Sequence, residues 1–166
     1  MKIPDYPSIS VSTVVAASPE TLWRLVSDID TPSKFSSEFR GASWLTSEPH
    51  GVGSTFEGHN GRGEATWSTF CTVTAYVPGV IFTYVVDRVE EPLAVWSFVL
   101  NPEGRATRLT FTATVGLGES GLSRAVERDP QNEDDIVAAR LAAWRSNMAA
   151  TVQGLKALAE AASRDV

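Results

Sequence analysis

Two side chains in this sequence could act on a carbonyl group: the phenol of Tyr84 and the guanidinium of Arg140. Tyr84 lies in an alternating apolar run, and Arg140 precedes Leu141 in a segment with helical spacing. Both groups donate hydrogen bonds, so they could polarise a carbonyl or stabilise an enolate, and we treat both as candidate catalytic and ligand-binding residues. Each also fits a structural role: Tyr84 could hydrogen-bond to the backbone, and Arg140 could lie along the edge of its helix.

Asn60 is a third polar candidate. It alternates with Phe56 and Gly58, which predicts that the three share one strand face, where the amide could reach a ligand carbonyl. The competing interpretation is a hairpin turn at Asn60-Gly61, because both residue types tolerate positive φ. The turn is the favoured interpretation of the two.

The groups best suited to proton transfer or metal binding are poorly placed. His50 falls in a predicted surface turn, and His59 alternates onto the face opposite Phe56, so neither is favoured as a catalytic base. Cys71 shares a strand face with Trp67, where burial would raise the thiol pKa, so we interpret it as a small core residue. No histidines have metal-ligand spacing, and no glycine-rich phosphate loop joins a strand to a helix. We therefore expect no metal site and no cofactor.

Large aromatic side chains recur along the predicted strands and the last helix. A domain of this size needs aromatic core residues, so each one taken alone has an ordinary packing role. As a group they predict the wall of a cavity that suits a flat or aliphatic ligand. The predicted ligand-binding residues are Trp44, Phe56, Asn60, Trp67, Phe82, Tyr84, Trp96, Phe98, Phe111, Arg140 and Trp144.

The composition predicts a soluble globular protein with one domain over residues 1–166. The chain is 43% hydrophobic and 20% charged, which suits a core built without disulfides or a structural metal. A net charge of -6 repels phosphate backbones and anionic membranes, so we expect no nucleic-acid partner. The single cysteine excludes an intramolecular disulfide. Because no apolar run suits a signal peptide or a membrane span, we expect a cytoplasmic protein without membrane insertion.

The N-terminal part of the chain predicts one strand and two short helices. Apolar residues alternate over Ile9–Val15, as in a strand with one buried face. Ser18-Pro19 is a typical helix start, with a capping hydroxyl before a proline. Thr31-Pro32 repeats this pattern and predicts a second helix, with Phe35 and Phe39 on one face.

Six further strands are predicted from alternating residues between turn signals. The second covers Ala42–Thr46, the third reaches about His59, and the fourth places Trp67 on its apolar face and Tyr76 on its polar face. The remaining three apolar faces run from Val80 to Val86, from Trp96 to Leu100 and from Leu109 to Val115, and Asn101 to Gly104 forms the last turn.

A long helix is predicted to end the chain, after a charged connection from Gly116 to Asn132. Apolar residues three and four apart, from Val137 to Leu158, form its buried stripe. Three acidic residues, Glu133 to Asp135, complement the positive end of the helix dipole and do not suggest a metal cluster. A helix of about 30 residues would be about 45 Å long, enough to cross a sheet.

This order predicts an α+β fold. Its parts are a curved seven-stranded antiparallel sheet, two short helices after strand 1, and a long C-terminal helix that lies over the sheet and encloses a cavity. A single helix cannot fill the concave side of such a sheet, which is why we expect the cavity.

Several segments match one known superfamily in type and order. Ser18–Trp23, with Val26–Asp28 behind it, fits the opening helix, and Phe56–Asn60, Trp67–Val73 and Trp96–Pro102 fit central strands. In these segments the chain resembles the START-like helix-grip (SRPBCC) superfamily, in particular its polyketide cyclase/dehydrase and lipid-transport branch. The resemblance covers nearly the whole chain and implies the fold. The branch includes aromatase/cyclases, small-ligand carriers and receptors, and chaperone cofactors, so the fold alone does not select a function.

Three functions follow from these expectations. The leading one is binding of a small hydrophobic molecule, polyketide-like or lipid-like, in the internal cavity of a monomer or homodimer. The chief alternative is a cofactor-free cyclase or dehydratase, a lyase or isomerase in which Tyr84, Arg140 or Asn60 stabilises oxyanion charge. The absence of a clear acid/base pair counts mildly against it. The third is a protein-interaction module similar to chaperone cofactors, which predicts a filled cavity and an exposed apolar patch.

Overall fold

One curved antiparallel sheet and a long helix make up most of the computed structural model, which describes residues 1–165. The seven strands are β1 (Ser8–Val15), β2 (Phe39–Trp44), β3 (Thr55–Arg62), β4 (Ala65–Val77), β5 (Ile81–Asp87), β6 (Pro92–Glu103) and β7 (Ala106–Val115). They lie in the order β1-β7-β6-β5-β4-β3-β2, so β1 and β2 are the edge strands. The predicted seven-stranded antiparallel sheet is confirmed.

The two faces of the sheet follow the alternation in the sequence. On β7, Leu109, Phe111 and Ala113 are buried on the concave face. On the convex face, the hydroxyl groups of Ser10 and Thr112 lie 2.6 Å apart across β1 and β7. Short hydroxyl side chains satisfy one another and water, so the convex face needs no cover, whereas the concave face must be covered by helices.

The first helix, α1 (Pro19–Val26), begins as predicted. The Thr21 N–H donates to Ser18 Oγ at 3.2 Å, and Pro19 occupies the first helical position. Leu22 and Val26 are buried. The capped start therefore fixes the helix so that its apolar side faces the concave side of the sheet.

The second predicted helix is only a 3₁₀ turn, Thr31–Lys34, and Phe39 is not part of it. The prediction that Phe35 and Phe39 share a helical face is therefore wrong. Ser36 Oγ accepts the N–H groups of Glu38 and Phe39 at 3.2 and 2.9 Å. These side-chain bonds replace helical ones and direct the chain into β2.

The β3–β4 hairpin turns at Gly63-Glu64, and the predicted turn at Asn60-Gly61 is wrong. Asn60 instead pairs with Trp67 inside the ladder. Gly63 has a φ of +60°, which glycine adopts without strain. The later turn makes the ladder longer, and it leaves Asn60 on the same strand face as Phe56.

A β-bulge in β4 changes the face that its last residues occupy. The register with β5 shifts between Val73 and Ala75, and Tyr76 turns inward. Its ring packs edge-on against Trp23 at 5.1 Å and Phe82 at 5.8 Å. The prediction that Tyr76 lies on the polar face is wrong, because strict alternation does not reveal an extra residue.

Smaller differences occur at other element ends. The last hairpin turns at Gly104-Arg105, beyond the predicted turn, and β2 both begins and ends earlier than expected. A short 3₁₀ turn, Ile3–Asp5, precedes β1. Strand ends depend on pairing partners that a local pattern does not contain.

The connection after β7 contains a helix that the sequence analysis missed, α2 (Gly121–Arg128). Its start is capped by Ser120 Oγ, which accepts the Ser123 N–H at 3.1 Å. Leu122 and Val126 pack against the core. The helix has only eight residues and begins with glycine, so its sequence resembles a loop.

The long helix α3 (Glu133–Arg164) crosses the concave face, as predicted. Its 32 residues correspond to a length of about 48 Å. The predicted apolar stripe is buried, except that Ala159 takes the place of Leu158 as its last buried member. Along β1, Lys156 Nζ donates to the Val14 carbonyl at 2.7 Å and the Ala16 N–H donates to Glu160 Oε1 at 3.0 Å. These bonds attach α3 to the edge of the sheet.

A glycine brings α3 close to the 3₁₀ turn. A Cβ atom built on Gly154 would lie 2.3 Å from Cδ1 of Phe35, far inside van der Waals contact. The Phe35 ring therefore lies directly on the helix backbone, which only glycine permits at this distance.

We predict that Gly154→Ala destabilises the protein by about 1–3 kcal/mol, because the new methyl group displaces Phe35. In a helix with free space at this position, replacing glycine by alanine would instead stabilise the protein by about 1 kcal/mol. Urea unfolding followed by circular dichroism measures the difference. Gly121→Ala is the matched control, since nothing lies within 4 Å of its Cβ position, and it should cause no loss. In a Phe35→Ala background Gly154→Ala should become stabilising; a persistent loss there would contradict the explanation.

Candidate functional site

A cavity of about 160 Å³ lies between the concave face of the sheet and α3. All of the predicted ligand-binding residues except Trp44 line it. Glu38, Asn60, Trp67 and Arg140 are among its partly exposed lining residues. They lie close together, because Asn60 pairs with Trp67 and with Phe39, and Glu38, next to Phe39, binds Arg140; we call this side of the cavity the mouth. Phe82 lies at the deep end and is almost fully buried. The cavity thus extends from a partly polar mouth to an apolar base.

Aromatic rings in contact with one another form much of the wall. The ring centroids of Phe56 and Tyr84 are 5.0 Å apart, and those of Trp96 and Trp144 are 4.8 Å apart. Trp144 belongs to α3 and Trp96 to β6, so this pair connects the helix to the sheet beside the cavity. Rigid rings in edge-on and tilted contacts support one another and resist collapse into the space between them.

Trp44 lies outside the cavity wall, contrary to the prediction. Its ring stacks on His50 at 3.8 Å and meets Phe56 edge-on at 5.4 Å. His50 is held in turn by a 3.0 Å contact between Nε2 and the Thr46 carbonyl. Trp44 ends the edge strand β2, so it supports Phe56 from behind and does not reach the cavity.

The Tyr84 hydroxyl is the main polar group inside the cavity. None of the hydrogen bonds formed among residues 1–165 involves the Tyr84 hydroxyl, so the proposed backbone bond is not found. The oxygen keeps some accessible surface, because every fully buried side-chain oxygen or nitrogen in that range has a partner. Burial raises the pKa of the phenol far above its usual value, and the nearby Cys71 thiol contributes in the same direction. The phenol therefore stays protonated and can donate a hydrogen bond to a bound molecule.

Arg140 forms an ion pair that the sequence analysis missed. Its Nη1 and Nη2 atoms donate to Glu38 Oε2 and Oε1 at 2.8 and 2.6 Å. The side chains are only 20% and 15% exposed, and the guanidinium also lies 5.5 Å from the Trp144 ring centroid. Arg140 thus lines the cavity as predicted, but as half of a bidentate pair. Glu38 is distant in sequence and lies in no motif, so no local signal identified it.

Asn60 lines the cavity near its mouth, in the position that the less favoured interpretation required. Gly58 and Thr69 lie beside it in the wall. A Cβ atom on Gly58 would be 2.8 Å from Thr69 Oγ1, so glycine keeps this part of the wall open.

The remaining reactive groups do not form a catalytic arrangement. His59 points to the convex face, where Nδ1 lies 3.3 Å from Ser68 Oγ. Cys71 lines the cavity, and burial raises the pKa of its thiol to about 12, which disfavours the nucleophilic thiolate. Within residues 1–165 no three His, Cys, Asp or Glu side chains are grouped to hold a metal ion. In the same range, no helix combines the length and apolar character needed to span a bilayer.

A family model described as polyketide cyclase / dehydrase and lipid transport matches residues 6–160. The chain belongs to this family. The resemblance to this family is thereby confirmed. No curated protein matches the chain significantly. The family's description spans enzymes and carriers, so membership leaves the activity of this chain open.

Solved structures of distant relatives confirm the helix-grip fold. The polyketide cyclase-like protein Cgl2372 of Corynebacterium glutamicum aligns with a TM-score of 0.65 and 23% identity over 94% of this chain and 90% of its own. The Zhui aromatase/cyclase of Streptomyces sp. R1128 gives a TM-score of 0.65 and 14% identity, with 93% of each chain covered. The major latex-like protein 151 of Panax ginseng gives 0.59 and 12%, covering 91% and 95%. At these identities the similarity is one of fold.

We predict that the free energy of unfolding falls as the pH rises above about 9. The thiol of Cys71 has an ordinary pKa of 9.0, which burial raises to about 12. Between these values the unfolded chain has lost the proton and the folded chain keeps it, so stability decreases by about 1.4 kcal/mol per pH unit for this group. Tyr84, whose pKa is also raised, adds the same trend above pH 10.

Cys71→Ala tests this prediction in urea titrations between pH 7 and 10. The substitution should reduce the slope of stability against pH above pH 9. The loss of packing in the variant lowers the free energy of unfolding by the same amount at every pH. The difference between variant and wild type at pH 7 therefore measures it. Identical slopes for the wild type and the variant would show that Cys71 does not contribute.

Proposed function

We propose that this protein binds a small, mainly apolar molecule in the cavity between the sheet and α3. The observation that supports this most directly is the open volume of about 160 Å³, kept free by mutually supporting aromatic side chains. A core that served stability alone would close such a space, because each void in a protein interior lowers stability.

The volume of the cavity limits the size of the guest. Apolar cavities of about 150 Å³ accept benzene. One or two rings therefore fit without rearrangement, and a larger polyketide or lipid requires movement of α3 or of the 3₁₀ turn. A guest that buries about 200 Å² of apolar surface gains about 5 kcal/mol, equivalent to a dissociation constant of about 0.2 mM before polar contacts contribute.

A cyclase or dehydratase acting in the same cavity is the second candidate, and the unpartnered Tyr84 hydroxyl favours it. An enolate formed from a bound ketone could accept its hydrogen bond. The reaction also needs a base, and neither His50 nor His59 lines the cavity. Of the two carboxylates in the lining, Glu38 is engaged by Arg140, and Asp28 is exposed at the rim, where its Oδ1 accepts the Asp30 N–H. Binding without chemistry is therefore the better supported proposal.

The chaperone-cofactor interpretation receives less support. It expects a cavity filled by side chains. The space beside Tyr84 is instead open.

Filling the cavity should abolish binding. Val86 lines it, and Val86→Phe places a ring in the open volume. Isothermal titration calorimetry with 1-tetralone, a two-ring ketone, should show at least about a 10-fold loss of affinity, which is about 1.4 kcal/mol. The matched control is Val95→Phe, which adds the same ring outside the cavity lining and should keep the wild-type affinity. Equal losses in both variants, or none, would argue against binding in this cavity.

The Tyr84 hydroxyl should recognise a carbonyl oxygen. Tyr84→Phe is expected to weaken 1-tetralone binding about 3- to 10-fold, the value of one hydrogen bond, and to leave binding of tetralin, which lacks the oxygen, unaffected. A similar change for both compounds would assign Tyr84 a packing role only.

The same ketone separates a carrier from an enzyme. A protein that stabilises an enolate would accelerate the exchange of the C2 protons of 1-tetralone in D₂O, which proton NMR detects. We expect exchange at the rate seen in buffer alone. Acceleration that disappears in Tyr84→Phe would favour the cyclase or dehydratase instead.

A further inference from the structure

At the cavity mouth, the charges of Arg140 and Glu38 are paired with each other. Arg140 and Glu38 form two parallel hydrogen bonds of 2.8 and 2.6 Å, and both side chains are largely buried. In this bidentate arrangement the two charges cancel at close range. A guest in the cavity therefore meets a neutral pair and no free cation.

Glu38 is held in place independently of this pair. Ser36 Oγ accepts the Glu38 N–H at 3.2 Å. The next anchor is Ser37, whose N–H and Oγ donate to Asn147 Oδ1 at 2.8 and 2.9 Å. Asn147 lies on α3 two turns after Arg140. Apart from the ion pair, the segment before β2 is thus fixed to the helix through Ser37, and the Glu38 carboxylate is positioned for Arg140.

The other charged groups nearby are hydrated. Asp28 reaches the rim, where it is exposed and its Oδ1 accepts the Asp30 N–H at 3.0 Å. Arg62 is also exposed, lies 5.9 Å from the Trp67 ring centroid and is outside the cavity lining. A carboxylate guest would therefore lose hydration on entering the cavity without gaining a free cation, and a cationic guest would meet only the exposed carboxylate of Asp28 at the rim.

We propose that Glu38 is a specificity-determining residue: by neutralising Arg140 it restricts the cavity to uncharged guests that carry a hydrogen-bond acceptor, and it excludes carboxylates. This inference rests on the proposed binding function. It adds the chemical class of the ligand, a neutral one- or two-ring ketone or a similar carbonyl compound that fits the open volume and the Tyr84 hydroxyl. Without Glu38 the same cavity would contain an unpaired guanidinium, which prefers carboxylates.

Three probes of matched size test the wild-type protein by calorimetry: 1-tetralone, 1-naphthoate and 1-naphthylmethylammonium. The neutral ketone should bind at least about 10-fold more tightly than either ion, since neither ion recovers its lost hydration. Naphthoate that binds as tightly as the ketone would overturn the inference about Glu38 and would leave the proposed binding function intact. Absence of binding for all three would overturn both.

Glu38→Gln then tests the residue itself. It frees the Arg140 charge while keeping the shape of the side chain, so the ratio of naphthoate to tetralone affinity should rise at least about 10-fold. Glu38→Gln/Arg140→Gln should lose this gain. Glu57→Gln is the control for net charge: Glu57 alternates with Phe56 and Gly58, outside the cavity lining, and should leave the ratio unchanged. An unchanged ratio of naphthoate to tetralone affinity in a folded Glu38→Gln variant would contradict the proposal. If that variant does not fold, the affinities of the three probes for the wild-type protein decide whether the proposal holds.

Discussion

The attachment of α3 to β1 on one side and to the segment before β2 on the other determines the form of this protein. On one side Lys156 and Glu160 bind the backbone of β1 and its end. On the other side Ser37 binds Asn147, and the Phe35 ring rests on Gly154. Between these contacts the curved sheet bends away from the straight helix, and aromatic side chains fill only part of the gap. The cavity is therefore a consequence of how the helix is held, since residues that would close it are not available from one helix alone.

The polar groups of the cavity are arranged from mouth to base. The ion pair of Arg140 and Glu38 lies at the mouth with the Asn60 amide, and the Tyr84 hydroxyl lies deeper, among Phe56 and Phe82. The proposed guest would be surrounded by rings along its length and would meet the Tyr84 hydroxyl as a hydrogen-bond donor inside the cavity. Such a wall selects by size and by the presence of an acceptor atom, which agrees with a family whose description includes both conversion and transport of apolar molecules.

Local patterns in the sequence predicted most of the fold and most of the cavity wall. Alternation and helical spacing depend on burial, so they identified the strands, α3 and the inward-facing aromatic residues. Several of the failures arise from strand pairing and side-chain contacts that a local pattern does not contain. The β3–β4 ladder placed Asn60 in a strand, the bulge in β4 turned Tyr76 inward, and the Arg140–Glu38 pair joins residues 102 positions apart. Trp44 differs from the cavity aromatics only in lying at the end of an edge strand.

The bonds between α3 and β1 also bear on association between molecules. An edge strand presents unpaired carbonyl and N–H groups to which a strand of another copy can add. Along β1, Lys156 and Arg145 occupy the carbonyl oxygens of Val14 and Ser10, and Glu160 occupies the N–H of Ala16. The opposite edge, β2, is short and its pairing is interrupted at Arg40. Both edge strands are therefore poor templates for strand addition. The protein can keep an open cavity on the concave face of its sheet without edges that favour fibrous aggregation.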